Sequence, residues 1–365
     1  MHFVIFGLSI SSTWGNGHAT LWRGLVKAMA RRGHTVAFYE RDLPYYANAR
    51  DEWEMPSTVS LHLYDSWDSI RAEAERDLAR ADVALYTSYC PDGLAASRLI
   101  LDSGAMIRAF YDLDTPVTLD ALHAGKEVAY LPPDGLADFE IVLSYTGGRA
   151  LNELRSRLGA RAVAALYGSV DPSTHRPAPA KQELRASLSY LGTYATDRQA
   201  ALEELFVQPA RKAPERRFVL AGAQYPADFP WCGNIFFLKH LPPSEHGALF
   251  CSSRATLNIT RRAMAQYGYC PSGRLFEAAA CGVPILSDQW EGLDAFFTPG
   301  KELLCVRSAD DVLAALELSD AELSRIAEAA RCRTLAEHTA EHRIIELEAI
   351  CSDVAGSRYQ LVSTA

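Results

Sequence analysis

The chain has 365 residues and a formal net charge of −9 at pH 7, with 48% hydrophobic and 22% charged residues. This is the composition of a globular protein, and the length exceeds one comfortable core and fits two domains. An acidic chain with a pI near 5.6 lacks the clustered basic surface that nucleic acid or an anionic membrane requires, so any anion site has to be local.

The eight cysteines form no C-x-x-C pair and no Cys/His group with zinc spacing, which indicates reduced thiols and no structural metal. The opening apolar run is too short for a signal peptide, and no run approaches the ~18 apolar residues of a membrane span. We therefore expect a cytoplasmic protein without a transmembrane segment, and nucleic acid is not expected among its partners.

The first half of the chain alternates apolar runs with helical periodicity. A strand over 3–6, a helix over 20–32 and a second strand over 34–39 predict a right-handed βαβ start. Further strand-like runs lie at 59–63, 83–86, 106–111, 141–143 and 163–166, with helical stretches at 70–79 and 94–101. This order predicts an α/β, doubly wound, Rossmann-like domain.

The loop after the first strand, SISSTWGNGHAT at 9–20, lies where such sheets bind ligands, at the carboxyl ends of the strands. It offers hydroxyls, glycines and His18. A G-x-G pair followed by an acid superficially suggests a dinucleotide fingerprint. We reject it, because Gly15 comes eight residues after Gly7 and Thr20 stands where the third glycine belongs.

A second ligand-side segment, FYDLDTPVTL at 110–119, places two carboxylates just past a strand. Buried carboxylates at such positions orient a histidine, or accept a proton when their pKa is raised. Asp112 is the candidate to orient His18 and to stabilise its imidazolium. Capping of the next helix is the preferred interpretation of Asp114.

A polar, proline-bearing stretch around 168–182 is the best candidate for an interdomain linker. After it, strand-like runs at 188–191, 217–221, 235–238 and 255–259 alternate with helical runs at 197–205 and 245–250, which predicts a second Rossmann-like domain. We place the first domain at 1–170, the linker at 171–184, the second domain at 185–340 and a C-terminal helix at 341–365.

The most informative stretch is GYCPSGRLFEAAACGVPILS at 268–287, which predicts a loop, a helix, a turn and a strand. Ser272 suits the N-cap, and Gly273 and Arg274 in the first turn present backbone N–H groups and a guanidinium. That is the outline of a phosphate site. Glu277, further along the helix, is placed to accept hydrogen bonds from a ribose diol. An ordinary capped core helix is the alternative.

The segment PSGRLFEAAACGVPILSD resembles the nucleotide-binding segment of GT-B glycosyltransferases, most closely that of the spore-maturation-protein branch related to glycosyltransferase family four. The resemblance covers nearly the whole chain and is strongest over 7–42, 110–116 and 258–297. It implies that Glu277 holds the donor ribose and that the Ser272 to Arg274 turn holds the phosphates. The family's sugar-contacting glutamate, eight residues before Glu277, is Tyr269 here, so how the donor sugar is held stays open.

The resemblance also implies that a basic residue in YLGTYATDRQ, at 190–199, clamps the donor diphosphate. A solvated helix-start arginine is the alternative for that residue. The strand end near 258 carries two adjacent arginines, and we assign one of them to the anion site although spacing does not separate Arg261 from Arg262. The donor-site candidates beyond the helix are thus Gly192, Thr193, Tyr194, Arg198 and Arg261.

The segment GNGHATLWRGLVKAMARRGHTV resembles the G-H-x-x-P opening of GT-B enzymes, without its proline. The histidine of that opening can be a catalytic base, so His18 and Asp112 are the catalytic candidates. The alternative is that His18 is only a helix-start residue with a satisfied ring, and that the turn at 146–148 only begins a helix. The acceptor-side candidates are Trp14, Gly15, Asn16, Gly17, Asp114, Thr146 and Gly147.

The resemblance implies GT-B architecture: two Rossmann-like, doubly wound domains that face across a cleft, with the last helix crossing back to the first domain. It implies transfer of a sugar from a nucleotide diphosphate sugar, with UDP favoured, to an acceptor hydroxyl on a small molecule, glycan or protein. No cofactor and no metal are expected, because arginines and helix ends offset the leaving-group charge. A nucleotide-sugar epimerase or hydrolase, a non-catalytic binder and, more distantly, an oxidoreductase are the alternatives.

Overall fold

The computed structural model describes residues 1–363, and the side chains of residues 1–356. The chain divides into two compact units, Met1–Tyr167 together with the chain from Ala340 onward, and Gly168–Thr339. Within the described range, no helix combines the length and the hydrophobicity needed to span a bilayer.

The first unit contains a seven-stranded, wholly parallel sheet. Its strands are β1 (His2–Gly7), β2 (Thr35–Arg41), β3 (Val59–Tyr64), β4 (Val83–Thr87), β5 (Ile107–Asp112), β6 (Ile141–Ser144) and β7 (Val163–Ala165). The order is β3-β2-β1-β4-β5-β6-β7, so the winding direction reverses between β1 and β4. Such a reversal is the switch point at which doubly wound sheets bind ligands.

Helices cover both faces of this sheet: α1 (Gly17–Arg31), α2 (Pro44–Ala47), α3 (Trp67–Leu78), α4 (Gly93–Leu101), α5 (Thr115–His123) and α6 (Arg149–Leu158). Phe3 and Ile5 enter one apolar cluster, while Val4 and Phe6 enter the other. Successive strand side chains point to opposite faces, and burial of both faces explains why β1 is continuously apolar. Helix α1 begins earlier than the predicted 20–32, because Asn16 caps it by accepting a hydrogen bond from the His18 backbone N–H at 3.0 Å.

The second unit contains a six-stranded parallel sheet. Its strands are β8 (Ala186–Leu191), β9 (Phe218–Ala221), β10 (Ile235–Leu238), β11 (Ser253–Asn258), β12 (Ile285–Ser287) and β13 (Leu304–Cys305). The order is β10-β9-β8-β11-β12-β13, which puts the switch point between β8 and β11. Two doubly wound parallel sheets confirm the predicted α/β fold class.

The helices of the second unit are α7 (Gln199–Leu202), α8 (Gln208–Lys212), α9 (Pro243–Cys251), α10 (Arg262–Tyr267), α11 (Gly273–Cys281), α12 (Ala309–Leu316) and α13 (Asp320–Glu337). The predicted single helix over 197–205 is wrong in detail. A 3-10 turn at Thr196–Arg198 precedes α7, and a π-helical turn at Glu203–Val207 separates α7 from α8. Pro209 lacks the N–H that an uninterrupted α-helical ladder needs at this point, which accounts for the widened turn.

The first unit is completed by the last helix, α14 (Ala340–Ser363). Ile344 and Leu347 of α14 are buried in the same apolar cluster as Leu25 and Met29 of α1. At the edge of this contact Glu348 accepts a hydrogen bond from Arg32 at 2.6 Å. Helix α14 therefore belongs to the core that β1 begins.

Candidate functional site

The candidate donor site lies at the switch point of the second sheet, where β8 and β11 end. The structure begins α11 directly after Ser272, as the sequence predicts, although the Ser272 side chain makes no capping hydrogen bond. Gly282 ends the helix in the left-handed conformation, with φ +74°. The N-terminal N–H groups of α11 and the carboxyl ends of two strands thus meet at one sheet edge.

Arg274 projects from the first turn of α11 across the end of β8. Its guanidinium carbon lies 5.2 Å from the centre of the Tyr190 ring, and its Nη1 lies 3.5 Å from Oδ1 of Asn258. A side chain at Gly192 would place Cβ 2.7 Å from Nη2 of Arg274, so glycine leaves room for the guanidinium. Arg274 Nε is buried and has no hydrogen-bond partner among the described residues. The cation is therefore held by packing and leaves donor capacity unused.

A second arginine approaches the first. Arg198, in the 3-10 turn after β8, donates to the carbonyl oxygen of Thr193, and its Nε is also buried without a hydrogen-bond partner in the described part of the chain. Burial, followed by the nearby charge of Arg198, lowers the pKa of Arg274. Two guanidinium groups that repel one another at a helix N-terminus form a site that an anion would stabilise.

Aromatic residues fix the loop at 192–194, which follows β8 and lies next to the two arginines. Tyr225 donates from its hydroxyl to the carbonyl oxygen of Gly192 at 3.0 Å, and its ring lies 5.5 Å from that of Tyr194. Burial raises the pKa of Tyr225 well above its usual value, which keeps the hydroxyl protonated and donating. The predicted residues Gly192, Thr193, Tyr194 and Arg198 are therefore brought together with Arg274.

Arg261 differs from the other two arginines. Its Nε lies 3.3 Å from Oδ2 of Asp197, and both side chains are partly exposed. The charge of Arg261 is already offset by this ion pair, so Arg261 is a weaker anion-site candidate than Arg198 or Arg274.

Glu277 lies on α11 beside Arg274, with its side chain 14% exposed. Two histidines that the sequence did not single out face it: His175 Nε2 at 3.9 Å and His246 Nδ1 at 3.7 Å from the same oxygen, Oε2. Burial alone would raise the pKa of Glu277, but the positive charge of His175, then of His246 and Arg274, outweighs burial and lowers it to about 2. Glu277 is thus an ionised acceptor for hydroxyl groups near the start of α11.

Tyr269 lies eight residues before Glu277, at the position that the resemblance assigns to a sugar-contacting glutamate. It adopts φ +45°, and its N–H donates to the carbonyl oxygen of Glu291 at 2.7 Å. A side chain at Gly292 would place Cβ 2.5 Å from the Tyr269 ring, so the ring packs flat on this glycine. An aromatic ring therefore covers the loop after β12.

The candidate base, His18, lies in the first turn of α1 at the switch point of the first sheet. Its Nε2 is 2.9 Å from Oδ2 of Asp114, and each side chain is 16% exposed. His18 Nδ1 is buried and has no hydrogen-bond partner among the described residues. With Nε2–H donated to the carboxylate, Nδ1 carries the lone pair that can accept a proton.

The carboxylate that contacts His18 is Asp114, and the prediction that Asp112 fills this role is wrong. Asp112 lies on the same face of β5 as Phe110, in the apolar layer that contains Tyr86 and Tyr130. Its Oδ1 accepts the backbone N–H of Asp114 at 3.0 Å, and burial raises its pKa to about 7. The preferred interpretation of Asp114 is also corrected, because it stands at the N-cap of α5 but its side chain makes no capping bond.

The other acceptor-side candidates lie in the loops that follow β1 and β6. Trp14 and Gly15 are half-buried and Gly17 is exposed at the start of α1. Thr146 is fully buried, and its N–H donates to Ser144 Oγ at 3.0 Å. A side chain at Gly147 would place Cβ 2.0 Å from the Tyr167 hydroxyl. Thr146 and Gly147 therefore form the helix-start turn that the sequence offered as their alternative role.

The loop before α1 is held by Glu40, at the end of β2. Its carboxylate, 1% exposed, accepts hydrogen bonds from the backbone N–H groups of Ile10 and Ser11 and from the hydroxyls of Ser9 and Ser11. In a dinucleotide site this acid would face the ribose. Here it is committed to its own loop, which agrees with rejection of the dinucleotide fingerprint.

Sequence reasoning missed Tyr89, in the loop after β4. Its φ of +60° is unusual for a tyrosine, its ring centre lies 6.1 Å from that of His18, and it is 38% exposed. The signal available was the SYCPDG run after an apolar strand, which has the composition of a ligand-side loop.

Residues 198–349 match a family model described as glycosyl transferase-like. The comparison with curated proteins gives no match. Among solved structures, sucrose-phosphate synthase from Thermosynechococcus elongatus has a TM-score of 0.67 at 14% identity over 100% of both chains.

An alpha-glucosyltransferase in complex with UDP-glucose and DNA containing an abasic site has a TM-score of 0.70 at 13% identity, over 96% of this chain and 99% of the other. An Anabaena protein in complex with UDP and glucose has a TM-score of 0.62 at 10% identity over 100% of both chains. At these identities the likeness shows the fold. The structural neighbours show that the chain has the GT-B fold, and the family match over residues 198–349 is to glycosyl transferase-like proteins.

Proposed function

We propose that the protein is a glycosyltransferase that moves a sugar from a nucleotide diphosphate sugar to an acceptor hydroxyl. UDP is the proposed donor nucleotide, since two of the structural neighbours named above hold UDP-glucose or UDP with glucose. Within the class, we assign the chain to the spore-maturation-protein branch related to glycosyltransferase family four, on the PSGRLFEAAACGVPILSD segment.

The observation that carries the proposal is the convergence of Arg198 and Arg274 on the loop after β8, where Arg198 donates to the Thr193 carbonyl and Arg274 Nη2 lies against Gly192. Two cations with buried Nε atoms that make no hydrogen bond to the described residues fit the four or more oxygens of a diphosphate. Glu277, ionised on the same helix, is a hydrogen-bond acceptor of the kind that a ribose diol requires. The two arginines thus match the diphosphate of a nucleotide, and Glu277 matches its ribose.

The chemical step requires stabilisation of the leaving diphosphate and, for an inverting enzyme, a base for the acceptor hydroxyl. Arg198, Arg274 and the N–H groups of α11 would offset the charge that develops on the leaving group, so we propose transfer without a metal ion. His18 would accept the acceptor proton at Nδ1, while Asp114 stabilises the imidazolium through Nε2. Tyr269 at the sugar-contacting position gives this enzyme a donor-sugar contact different from that of the wider family.

A thermal-shift screen of UDP, GDP, ADP and dTDP sugars tests the proposal directly. A ligand at ~100 times its Kd adds about 2.7 kcal/mol to stability, so a bound nucleotide raises Tm measurably. We expect UDP sugars to give the largest shift, and turnover of the best donor to depend on an added acceptor. DNA belongs in the acceptor panel because one structural neighbour is bound to DNA.

The outcomes separate the candidate functions. Absence of a shift with all four nucleotide classes would contradict the proposal. Release of free sugar at the same rate with and without acceptors would indicate a hydrolase. Binding without turnover over a broad panel would indicate a nucleotide-sugar binder, for which Tyr269 is the motivating residue.

A further inference from the structure

Three side chains from separate segments converge in the second unit. His175 lies in the segment before β8, His246 on α9 and Glu277 on α11. His175 and His246 are 1% and 9% exposed, and one ligand-type atom from each of the three residues lies within 4.8 Å of the others. The described residues contain one such group, and it includes the proposed ribose acceptor.

A hydrogen bond to the main chain orients the His246 ring towards the other two side chains. His246 Nε2 lies 3.1 Å from the carbonyl oxygen of Leu241, which can only accept, so Nε2 carries a hydrogen. His246 Nδ1 therefore faces inward, 3.2 Å from His175 Nε2 and 3.7 Å from Glu277 Oε2. His175 Nε2 is 3.9 Å from the same Oε2. Both histidines thus lie within 4 Å of one carboxylate oxygen, Oε2, and Oε1 lies outside these contacts.

The charges around Glu277 explain why a carboxylate is tolerated in this place. Burial of an unpaired carboxylate is costly, and the group then takes up a proton. Glu277 faces His175 from the segment before β8, His246 from α9 and Arg274 from its own helix, and the Cys281 thiol follows one turn later. Arg274 is proposed to bind phosphate, so the two histidines are the groups that remain to hold Glu277.

We propose that His175 and His246 are positioning residues of the donor site, which hold Oε2 of Glu277 as a carboxylate so that Oε1 accepts a ribose hydroxyl. The inference rests on the proposed function, because it gives Glu277 its role in donor binding. It adds two positioning residues that lie 102 and 31 positions before Glu277 in the chain.

The same three ligand types also occur in zinc sites. The distance of 3.2 Å between His246 Nδ1 and His175 Nε2 is that of a hydrogen bond. One proton shared between the two nitrogens therefore explains why the rings lie so close together. A metal ion would instead be bound by Glu277 Oε2 and by the lone pairs of His246 Nδ1 and His175 Nε2. Metal binding is therefore a competing outcome, which the experiment has to separate.

The test is calorimetric titration of UDP into the parent protein and into the variants His175→Gln, His246→Gln and Glu277→Gln between pH 5.5 and 8. In the parent, the pKa of Glu277 lies near 2, so the carboxylate is fully ionised and UDP affinity does not fall on this account as the pH decreases. In each histidine variant burial of Glu277 is opposed only by Arg274 and the remaining histidine. The pKa of Glu277 therefore rises, and UDP affinity is lost as the pH falls through the raised value.

We expect each histidine variant to bind UDP about tenfold more weakly at pH 8, the order expected for loss of a hydrogen bond to a charged group, and weaker still at pH 5.5. Glu277→Gln should be weak without this added acid dependence. His338→Gln is the matched control, since His338 is a buried histidine of the same unit whose ring packs 4.7 Å from that of Phe276 on α11. The control should follow the pH profile of the parent.

Histidine variants with the affinity and pH profile of the parent would overturn the inference while leaving the proposed function intact. A stoichiometric metal in the purified parent, whose removal by EDTA abolishes UDP binding, would overturn it as well. If the parent binds none of UDP, GDP, ADP and dTDP, the proposed function fails and the inference with it. If a histidine variant does not fold, the ring ¹⁵N resonances of His175 and His246 are compared between the parent and Glu277→Gln. Unchanged resonances would overturn the inference that the two histidines interact with Glu277.

Discussion

At the scale of single residues, the two arginines near β8 give the sharpest prediction about the donor. We expect Arg198→Ala and Arg274→Ala to weaken UDP binding by about 10- to 100-fold, since hydrogen bonds to charged groups contribute roughly 1.5–3 kcal/mol. Uridine, which lacks the diphosphate, should bind the variants nearly as it binds the parent. Calorimetry with both ligands measures the difference.

Arg261→Ala is the matched control for this experiment. Its guanidinium is already paired with Asp197 at 3.3 Å, so we expect a smaller loss of UDP affinity than for the other two arginines. Equal losses for uridine and UDP would mean that the substitutions damage the unit as a whole, and the diphosphate assignment would then be wrong.

The candidate base gives a prediction about rate. We expect His18→Ala to lower kcat by on the order of 10²- to 10⁴-fold, as loss of a general base does, with UDP affinity unchanged. Asp114→Asn should also lower kcat, because an amide at 2.9 Å from Nε2 no longer stabilises the imidazolium. Asp112→Asn is the comparison, since Asp112 is fully buried and the carboxylate bonded to the His18 ring is that of Asp114.

Steady-state kinetics with the donor found in the screen provides the measurement. A His18→Ala enzyme that turns over within threefold of the parent would exclude His18 as the base. A rate loss in Asp112→Asn equal to that in Asp114→Asn would instead return the role to Asp112. Retention of the anomeric configuration in the product would favour a mechanism without a protein base.

At the scale of elements, the sequence predicts best where one segment carries both the structure and the chemistry. Helix α11 is such a segment. Pro271 and Ser272 precede it, Gly282 ends it, and the cation and the carboxylate lie on its own turns. Helical spacing alone places Arg274 and Glu277 three residues apart on neighbouring turns of one helix, which is why the sequence predicts that they lie together.

The sequence predicts poorly where the contact joins distant segments. His175, His246 and Glu277 come from three elements, and their spacing carries no periodic signal. The exchange of Asp112 for Asp114 has a different cause. Asp112 and Asp114 would share a face if β5 continued, but the strand ends at Asp112, so Asp112 stays in the core while Asp114 lies against His18. Composition does not reveal where a strand ends.

At the scale of the whole molecule, alternation of strands and helices predicts two doubly wound sheets, and both are present. The sequence pattern alone does not say which sheet the last helix joins. In the structure α14 packs on α1, and ion pairs of Arg31 with Glu341 and Arg32 with Glu348 border the contact. The first unit therefore depends on residues at both ends of the chain.

This dependence leads to a prediction about stability. Ile344 of α14 is fully buried against α1, whereas its neighbour Ile345 is 46% exposed. We expect Ile344→Ala to lower the free energy of unfolding by about 2–5 kcal/mol, through lost transfer energy and the cavity that remains. Ile345→Ala, the same substitution one residue later, should stay within about 0.5 kcal/mol of the parent.

Urea unfolding followed by circular dichroism compares the two variants, and UDP titration in the absence of urea shows whether the second unit is intact. Because α14 belongs to the first unit and the proposed diphosphate contacts to the second, Ile344→Ala should keep the UDP affinity of the parent under conditions where it stays folded. Similar destabilisation by both substitutions would contradict the packing of α14. Loss of UDP affinity in the folded Ile344→Ala protein would show that the two units are energetically coupled, so that a defect at the end of the chain reaches the donor site.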